Sequence, residues 1–204
     1  KEQELLEAFE VGIDSVTNMT PNGKIMPKLH LALEYNIFVR CIADIIESMD
    51  IEAVVSSVRL PTLRYKAGTV QSDSGCERTY ATEKPHLETW VGHSHDSIAF
   101  HIPVLGDLKN NYLQLFSPPE DFEESWADPI SDFNHGAAVA DRYIRHDIIP
   151  QAGFAYMFEC TSLHKSVQAH AKTKARISLE VTCLMKEKIQ RPRIESDAPK
   201  GKLD

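Results

Sequence analysis

The residues of this chain best suited to chemistry are two histidines and one carboxylate, His86, Glu88 and His164. Two imidazoles and one carboxylate can bind one face of a ferrous ion, which leaves three coordination positions open for a bidentate co-substrate and for dioxygen. If residues 86–91 form a β-strand, the side chains of His86 and Glu88 point to the same side, because side chains alternate along a strand. His164 follows after enough chain for several strands and a return to the same site. The spacing therefore predicts a metal site.

A basic residue and a hydroxyl follow the second histidine at a short distance. Arg176 comes twelve residues after His164, and Ser178 lies two residues further on, on the same face of a predicted strand. A guanidinium group next to a hydroxyl is a good receptor for the distal carboxylate of 2-oxoglutarate. Taken together, the ordered set predicts an enzyme that uses Fe(II), 2-oxoglutarate and dioxygen.

The segment 85–107 resembles a pattern of the iron(II)/2-oxoglutarate oxygenases of sugar and antibiotic gene clusters. These are the sporadic carbohydrate cluster oxygenases and their streptomycin-biosynthesis relatives. Their pattern is His-x-Asp-Thr-Trp-x-Gly-x-Ser, a short gap and an apolar strand that ends in a Pro-containing segment. In this chain the pattern reads His86-x-Glu88-Thr89-Trp90-x-Gly92-x-Ser94, followed by Phe100 to Leu105.

The resemblance covers residues 50–185 and implies the roles of several side chains. It makes His86, Glu88 and His164 the metal ligands and Arg176 the 2-oxoglutarate arginine. Glu88 stands where the family usually has Asp, a departure that bears on the subfamily more than on the chemistry. Halogenases of this superfamily lack the carboxylate, so its presence argues against halogenation. The implied reaction is hydroxylation or desaturation of a polar small metabolite, such as a carbohydrate or aminocyclitol, in a biosynthetic pathway.

The hydrophobic pattern predicts an α+β protein with an all-β core. Residues 2–17 and 28–49 have helical spacing, and the longer helix is expected to bury Leu29, Leu33, Ile37, Cys41, Ile45 and Ile46. Strands are predicted at 54–55, 58–60, 62–65, 78–82, 86–91, 98–104, 111–116, 154–159 and 175–185. Many short strands after two helices favour a double-stranded β-helix, that is, a cupin-like jelly-roll barrel buttressed by N-terminal helices. Residues 1–50 would pack on the catalytic core 51–185, with 186–204 as a charged tail.

The composition favours one domain that acts on a small molecule. The chain has 204 residues, a net charge of −8 and four cysteines without C-x-x-C spacing. The negative charge disfavours nucleic acid and anionic membranes as partners, and no apolar run approaches the roughly 18 residues of a transmembrane helix. Scattered cysteines indicate reduced thiols and a cytoplasmic protein. The composition is compatible with a homodimer.

Other residues near the motif have competing interpretations. His93 and His95 form the H-x-H pattern of cupins, so a cupin-type metal protein or a 2-oxoglutarate-independent dioxygenase is the alternative function. In the preferred interpretation these two histidines contact substrate or belong to a solvated loop. Trp90 either walls the pocket or lies in the core. Arg64, together with Arg59 and Lys66, either points into the barrel mouth to hold an anionic group or faces solvent. The loops 66–75 and 118–126 could cover the site as lids or be ordinary connections.

Overall fold

The computed structural model describes residues 1–12, 18–68 and 78–188. Its helices are α1 (Glu2–Gly12), α2 (Ala32–Ser48) and the short α3 (Ala137–Ala140), and 3-10 turns lie at Leu29–Leu31, Glu88–Val91, Glu124–Ala127 and Phe133–Gly136. The strands are β1 (Lys24–Ile25), β2 (Val55–Val58), β3 (Thr62–Lys66), β4 (Ser97–Gly106), β5 (Asn111–Ser117), β6 (Ile144–Arg145), β7 (Tyr156–Glu159), β8 (His164–Gln168) and β9 (Arg176–Met185). Segment 13–17, most of the loop 66–75, Cys76 and nearly all of the predicted tail lie outside the described residues.

The described strands form two antiparallel sheets. The larger sheet has the order β1-β3-β9-β4-β7, with β2 paired to the far end of β9, and the smaller sheet has the order β6-β5-β8. Strand β9 is central, because it pairs with β3 on one side and with β4 along nearly its whole length on the other. The mixed α+β class with antiparallel strands is therefore confirmed. Within the described residues the strands do not close on themselves, so the jelly-roll barrel itself is not confirmed.

The two long helices cover one face of the larger sheet. Ile42 and Ile46 of α2 pack in one cluster with Phe100 and Val181 of the sheet, and Leu6 of α1 packs in a second with Tyr65 and Ile177. Because side chains alternate along a strand, residues between these positions face the opposite side of the sheet. None of the described helices combines the length and the apolar character needed to cross a lipid bilayer.

The predicted buried stripe of α2 is wrong in its first part. Leu29, Leu33 and Ile37 are 93%, 71% and 56% exposed, and Cys41 is also exposed. Apolar residues lie on two sides of this helix, and the sheet packs on the side that carries Ile42 and Ile46, with Phe38 and Ile45 at its margin. The helical spacing identified the helix, whereas the choice of face depended on the tertiary contact.

Several strand predictions hold, two do not, and the single strand β2 stands where two segments, 54–55 and 58–60, are predicted. Strands β3, β4, β5, β7 and β9 agree with the predicted segments to within two or three residues. The predicted strand 78–82 is a series of turns, and the predicted strand 86–91 is a single bridge residue followed by a 3-10 turn. Between β5 and β7 the chain forms the short helix α3 and the two-residue strand β6.

Candidate metal centre

His86 and His164 are held side by side by their own backbones. They form an isolated antiparallel bridge in which the His86 amide donates to the His164 carbonyl at 2.9 Å and the His164 amide donates to the His86 carbonyl at 3.0 Å. Directly opposed residues of an antiparallel pair place their side chains on the same side. The two imidazole centroids are accordingly 4.3 Å apart. Two residues distant in sequence are thereby fixed as neighbours.

Glu88 reaches the same point from the first residue of a 3-10 turn, not from a strand. Its Oε1 atom lies 3.2 Å from Nε2 of His164, and its Oε2 atom lies 3.4 Å from Nε2 of His93. One possible ligand atom from each of His86, Glu88 and His164 lies within 4.8 Å of the other two, as a metal site requires. The structure thus brings the three predicted ligands together, although the strand expected to present His86 and Glu88 is absent.

Backbone carbonyls orient both imidazoles for ligation. Nδ1 of His86 lies 2.8 Å from the carbonyl oxygen of Lys84, and Nδ1 of His164 lies 3.2 Å from that of Ser162. A carbonyl oxygen only accepts, so each Nδ1 donates to a carbonyl and Nε2 is the ring nitrogen left to face the metal group. Burial, helped by the neighbouring His164, lowers the pKa of His86 to about 3, so this imidazole is neutral near pH 7.

The carboxylate of Glu88 is ionised despite its burial. Burial by itself would raise the pKa of Glu88, but the hydrogen bond from His164 and the nearby imidazoles hold it well below the usual range of a carboxyl group. Two imidazole nitrogens and one carboxylate oxygen therefore face one another, a donor set that suits ferrous iron and also zinc.

The three residues line one wall of a cleft of about 760 Å³, a volume that includes space open to solvent. Arg64 and Glu180 lie on another wall, where the guanidinium donates two hydrogen bonds of 2.7 and 2.6 Å to the carboxylate. His101 of β4 also lines the cleft. The cleft therefore lies on the side of the larger sheet that the long helices leave uncovered, with Leu113 and Ser166 of the smaller sheet opposite.

Arg176 is a buried cation with incomplete hydrogen bonding. It is 1% exposed, and its Nη1 atom lies 3.5 Å from Nε2 of His101. Its Nε and Nη2 atoms, and the hydroxyl of Ser178, have no hydrogen-bond partner among the described residues. Burial lowers the pKa of Arg176 to about 10, so the guanidinium remains charged at neutral pH. Leaving such donors unpaired in the interior is costly, which indicates a place for an anionic group.

The remaining predicted site residues divide into two groups. His93 and Arg64 line the cleft, whereas Trp90 and His95 are not among its lining residues. Trp90 is a core residue: it packs with Leu87 and Phe133, and its Nε1 donates to the carbonyl oxygen of Trp126 at 2.7 Å. Of the two interpretations of Trp90, the structure therefore agrees with the core position, because the 3-10 turn that aims Glu88 at the cleft aims Trp90 into the core.

The cupin alternative is not supported by the positions of its two histidines. Only His93 lines the cleft, where it contacts Glu88, and the metal-compatible group found among the described residues contains neither His93 nor His95. None of the residues 118–126 lines the cleft, an arrangement that agrees with the interpretation of this loop as an ordinary connection. Phe122 and Trp126 pack edge to face with each other, and Phe122 joins the core cluster around Trp90.

Two residues of the cleft were missed in the sequence, His101 and Glu180. Glu180 could have been found by extending the alternation that pairs Arg176 with Ser178, whereas His101 is identified only by the register between β4 and β9. Glu180 is the next residue on that face of β9, and His101 lies directly opposite Glu180 on β4. Arg64 lies opposite Ser178 on β3, so one sheet face carries the whole polar set.

Comparisons with known proteins give little beyond this geometry. No protein-family model matches the chain, and no curated protein matches it. Similar solved structures include that of the non-heme alpha-ketoglutarate-dependent epimerase SnoN from nogalamycin biosynthesis, with 9% identity and a TM-score of 0.40. The match covers 72% of this chain and 55% of SnoN, so the chain spans about half the length of that enzyme.

Proposed function

We propose that this protein is an Fe(II)- and 2-oxoglutarate-dependent oxygenase. The observation that carries the proposal is the combination of a His86–Glu88–His164 group with a buried guanidinium whose Nε and Nη2 atoms have no partner. His101 connects the two, because it lines the same cleft as the metal group and contacts Arg176. Arg176 and Ser178 are themselves not among the residues that line the cleft, so His101 is the link between the two groups. A metal site linked to an anion receptor is what an iron enzyme with a dicarboxylate co-substrate needs.

The residues present fit both groups. His86, Glu88 and His164 would hold the metal through one side of its coordination sphere, and Arg176 with Ser178 would hold the distal carboxylate of 2-oxoglutarate. His101 adds a third donor: Nη1 of Arg176 can donate to its Nε2, which leaves the proton on Nδ1, and Nδ1 is buried without a partner. The four unpaired donor atoms of these three residues would thus be satisfied by one carboxylate.

With 2-oxoglutarate and dioxygen, ferrous iron supplies the oxidising power to break a C–H bond of the substrate. The chain's own residues bind and orient the metal ligands and shield the cleft from water. The carbonyls of Lys84 and Ser162 fix the two imidazoles, the Arg64–Glu180 pair forms a wall, and Leu113 and Phe158 give the cleft apolar surface that excludes water. The sequence resemblance favours a carbohydrate or aminocyclitol as substrate and a jelly-roll core, and both belong to the proposal.

Zinc hydrolases use the same three donor types, so the two functions must be separated by experiment. The purified chain would be titrated anaerobically with Fe(II) and then with 2-oxoglutarate, and the weak visible charge-transfer band of the iron chelate would be recorded. We expect a band that saturates at one equivalent of iron and is lost in His86→Gln. The exposed His30→Gln is the matched control and should leave the band unchanged. Iron binding without a band at saturating 2-oxoglutarate would reject the proposal.

A further inference from the structure

The mouth of the cleft carries basic side chains that no carboxylate neutralises. Lys24 of β1 and the exposed Arg59, which lies between β2 and β3, both line the cleft. Among the described residues, neither side-chain cation has a carboxylate within ion-pair distance. The chain as a whole is acidic, with a net charge of −8, so these cations are a local feature of the cleft.

The other charged groups of the cleft are already compensated. The Arg64 guanidinium is paired with Glu180 through two hydrogen bonds, and Glu88 contacts His164 and His93. The lining contains three permanent cations, Lys24, Arg59 and Arg64, against two carboxylates. A divalent metal and a doubly charged co-substrate would cancel each other, so the cationic excess at the mouth would persist in the loaded enzyme.

Arg59 is close to the candidate metal ligands. Its Nη1 atom lies 3.5 Å from Nε2 of His93, and that same nitrogen lies 3.4 Å from Oε2 of Glu88. A single imidazole nitrogen is therefore near both the guanidinium and the carboxylate that would bind the metal. A small molecule whose anionic group sits on Arg59 would place its neighbouring carbon atoms beside the metal group.

We propose that Lys24, Arg59 and His93 form a binding site for an anionic group of the substrate, a phosphate or a carboxylate. As a substrate site it rests on the proposed function, whereas anion binding at this mouth does not depend on iron or 2-oxoglutarate. The guanidinium can donate two parallel hydrogen bonds to such a group, and the ammonium adds a mobile point charge. The substrate class is then a small anionic metabolite, such as a sugar phosphate or a sugar acid.

The test uses inorganic phosphate and acetate as probes of the complete chain stripped of metal by a chelator. Binding is measured by calorimetry at constant ionic strength, in the wild type and in Arg59→Gln, Lys24→Gln and Arg59→Lys. Arg40→Gln and Lys109→Gln are the controls, because both residues are exposed and lie outside the cleft. Arg176→Gln identifies any probe bound at the proposed co-substrate position.

We expect one saturable site that weakens about tenfold in Arg59→Gln and in Lys24→Gln and is unchanged in the controls. Arg59→Lys should restore binding only in part, because it keeps the charge and loses the two parallel hydrogen bonds. Tighter binding of phosphate points to a phosphorylated substrate, and tighter binding of acetate points to a carboxylic acid. The proposal is overturned if neither probe saturates, if Arg59→Gln has no effect, or if the controls weaken binding equally.

A second measurement separates this proposal from the function proposed above. In the chain loaded with Mn(II), the phosphorus of bound phosphate should relax rapidly because the paramagnetic ion is near, and Arg59→Gln should remove the effect. If Mn(II) fails to bind while the metal-free chain still binds phosphate through Arg59, the metal function fails and the anion site stands. If Mn(II) binds and phosphate relaxes as it does free in solution, the anion site is refuted and the metal function is untouched.

Discussion

Gly136 packs directly against the indole ring of Trp90, two residues beyond the candidate ligand Glu88. A methyl group at position 136 would overlap the Cη2 and Cζ3 atoms of that ring. Trp90 cannot easily move aside, because it is buried and its Nε1 donates a hydrogen bond to the carbonyl oxygen of Trp126. The 3-10 turn that carries both Glu88 and Trp90 therefore depends on the absence of a side chain at position 136.

We expect Gly136→Ala to lower the free energy of unfolding by about 1–3 kcal/mol, the usual cost of forcing atoms into a packed core. The displaced turn should also weaken metal binding, since Glu88 moves with Trp90. Urea unfolding and a Mn(II) titration measure the two effects. Gly12→Ala is the control: among the described residues, apart from its chain neighbours and its own helix, no atom lies within 4 Å of the added methyl, so the stability of this variant should change little. Equal unfolding curves for Gly136→Ala and wild type would show that the indole can adapt.

Removal of a single candidate ligand should weaken metal binding strongly. We expect His86→Ala, Glu88→Ala and His164→Ala each to lower Mn(II) or Fe(II) affinity by at least about a hundredfold, more than is typical for loss of an outer-shell partner. His93→Ala should change the affinity by no more than a few fold, because His93 contacts Glu88 without belonging to the three-residue group. The reverse ranking, measured by anaerobic calorimetry, would favour the cupin alternative.

The site was predictable from the sequence for a reason that is only partly correct. The H-x-E spacing suggested a strand, but His86 is a single bridge residue and Glu88 begins a 3-10 turn. The two side chains still converge, because the bridge partner of His86 is His164 itself. A pairing between residues so far apart is not encoded in local periodicity, so the conformation of 86–91 could not be predicted from that segment alone.

Composition and alternation predicted the long strands but not the burial of α2. Both sides of that helix carry apolar side chains, and the sequence does not state which side meets the sheet. The polar residues of β9, in contrast, were predicted correctly to share one face of the strand. Arg176 and Ser178 were identified by alternation, and His101 was missed because its significance appears only in the register that pairs β4 with β9.

The buried histidines predict that the metal-free protein loses stability in mild acid. Burial and the adjacent Arg176 lower the pKa of His101 to about 3, and burial and His164 lower the pKa of His86 to about 3, against 6.5 in a free side chain. Below pH 6.5 the unfolded chain gains protons at these positions while the folded protein does not. The free energy of unfolding must therefore fall as the pH decreases from about 6.5 towards 3.

Between pH 6.5 and 5 the change in unfolding free energy comes from the histidines. The lowered pKa values of Glu88 and Glu180 affect stability only as the pH falls below about 4.5. In His101→Gln we expect the slope of unfolding free energy against pH to decrease by about 1 kcal/mol per pH unit. Urea unfolding in the presence of a chelator measures that slope. His30→Gln should reproduce the wild-type slope, and the same slope in His101→Gln would mean that His101 is not neutral in the folded protein.

Arg176 should separate stability from co-substrate binding. Its guanidinium is buried, and its Nε and Nη2 atoms have no hydrogen-bond partner among the described residues. Replacing Arg176 by an apolar residue of similar length therefore removes an uncompensated buried charge. We expect Arg176→Met to unfold at the same or a higher urea concentration than wild type. In the same variant 2-oxoglutarate affinity, read from the charge-transfer band, should fall at least about tenfold, since loss of one partner of a buried charge pair costs about 2–5 kcal/mol. Fe(II) affinity should be nearly unchanged, and the exposed Arg145→Met should change neither quantity. If Arg176→Met instead unfolds more easily and keeps its 2-oxoglutarate affinity, the guanidinium is a structural group held by His101, and the dicarboxylate binds elsewhere.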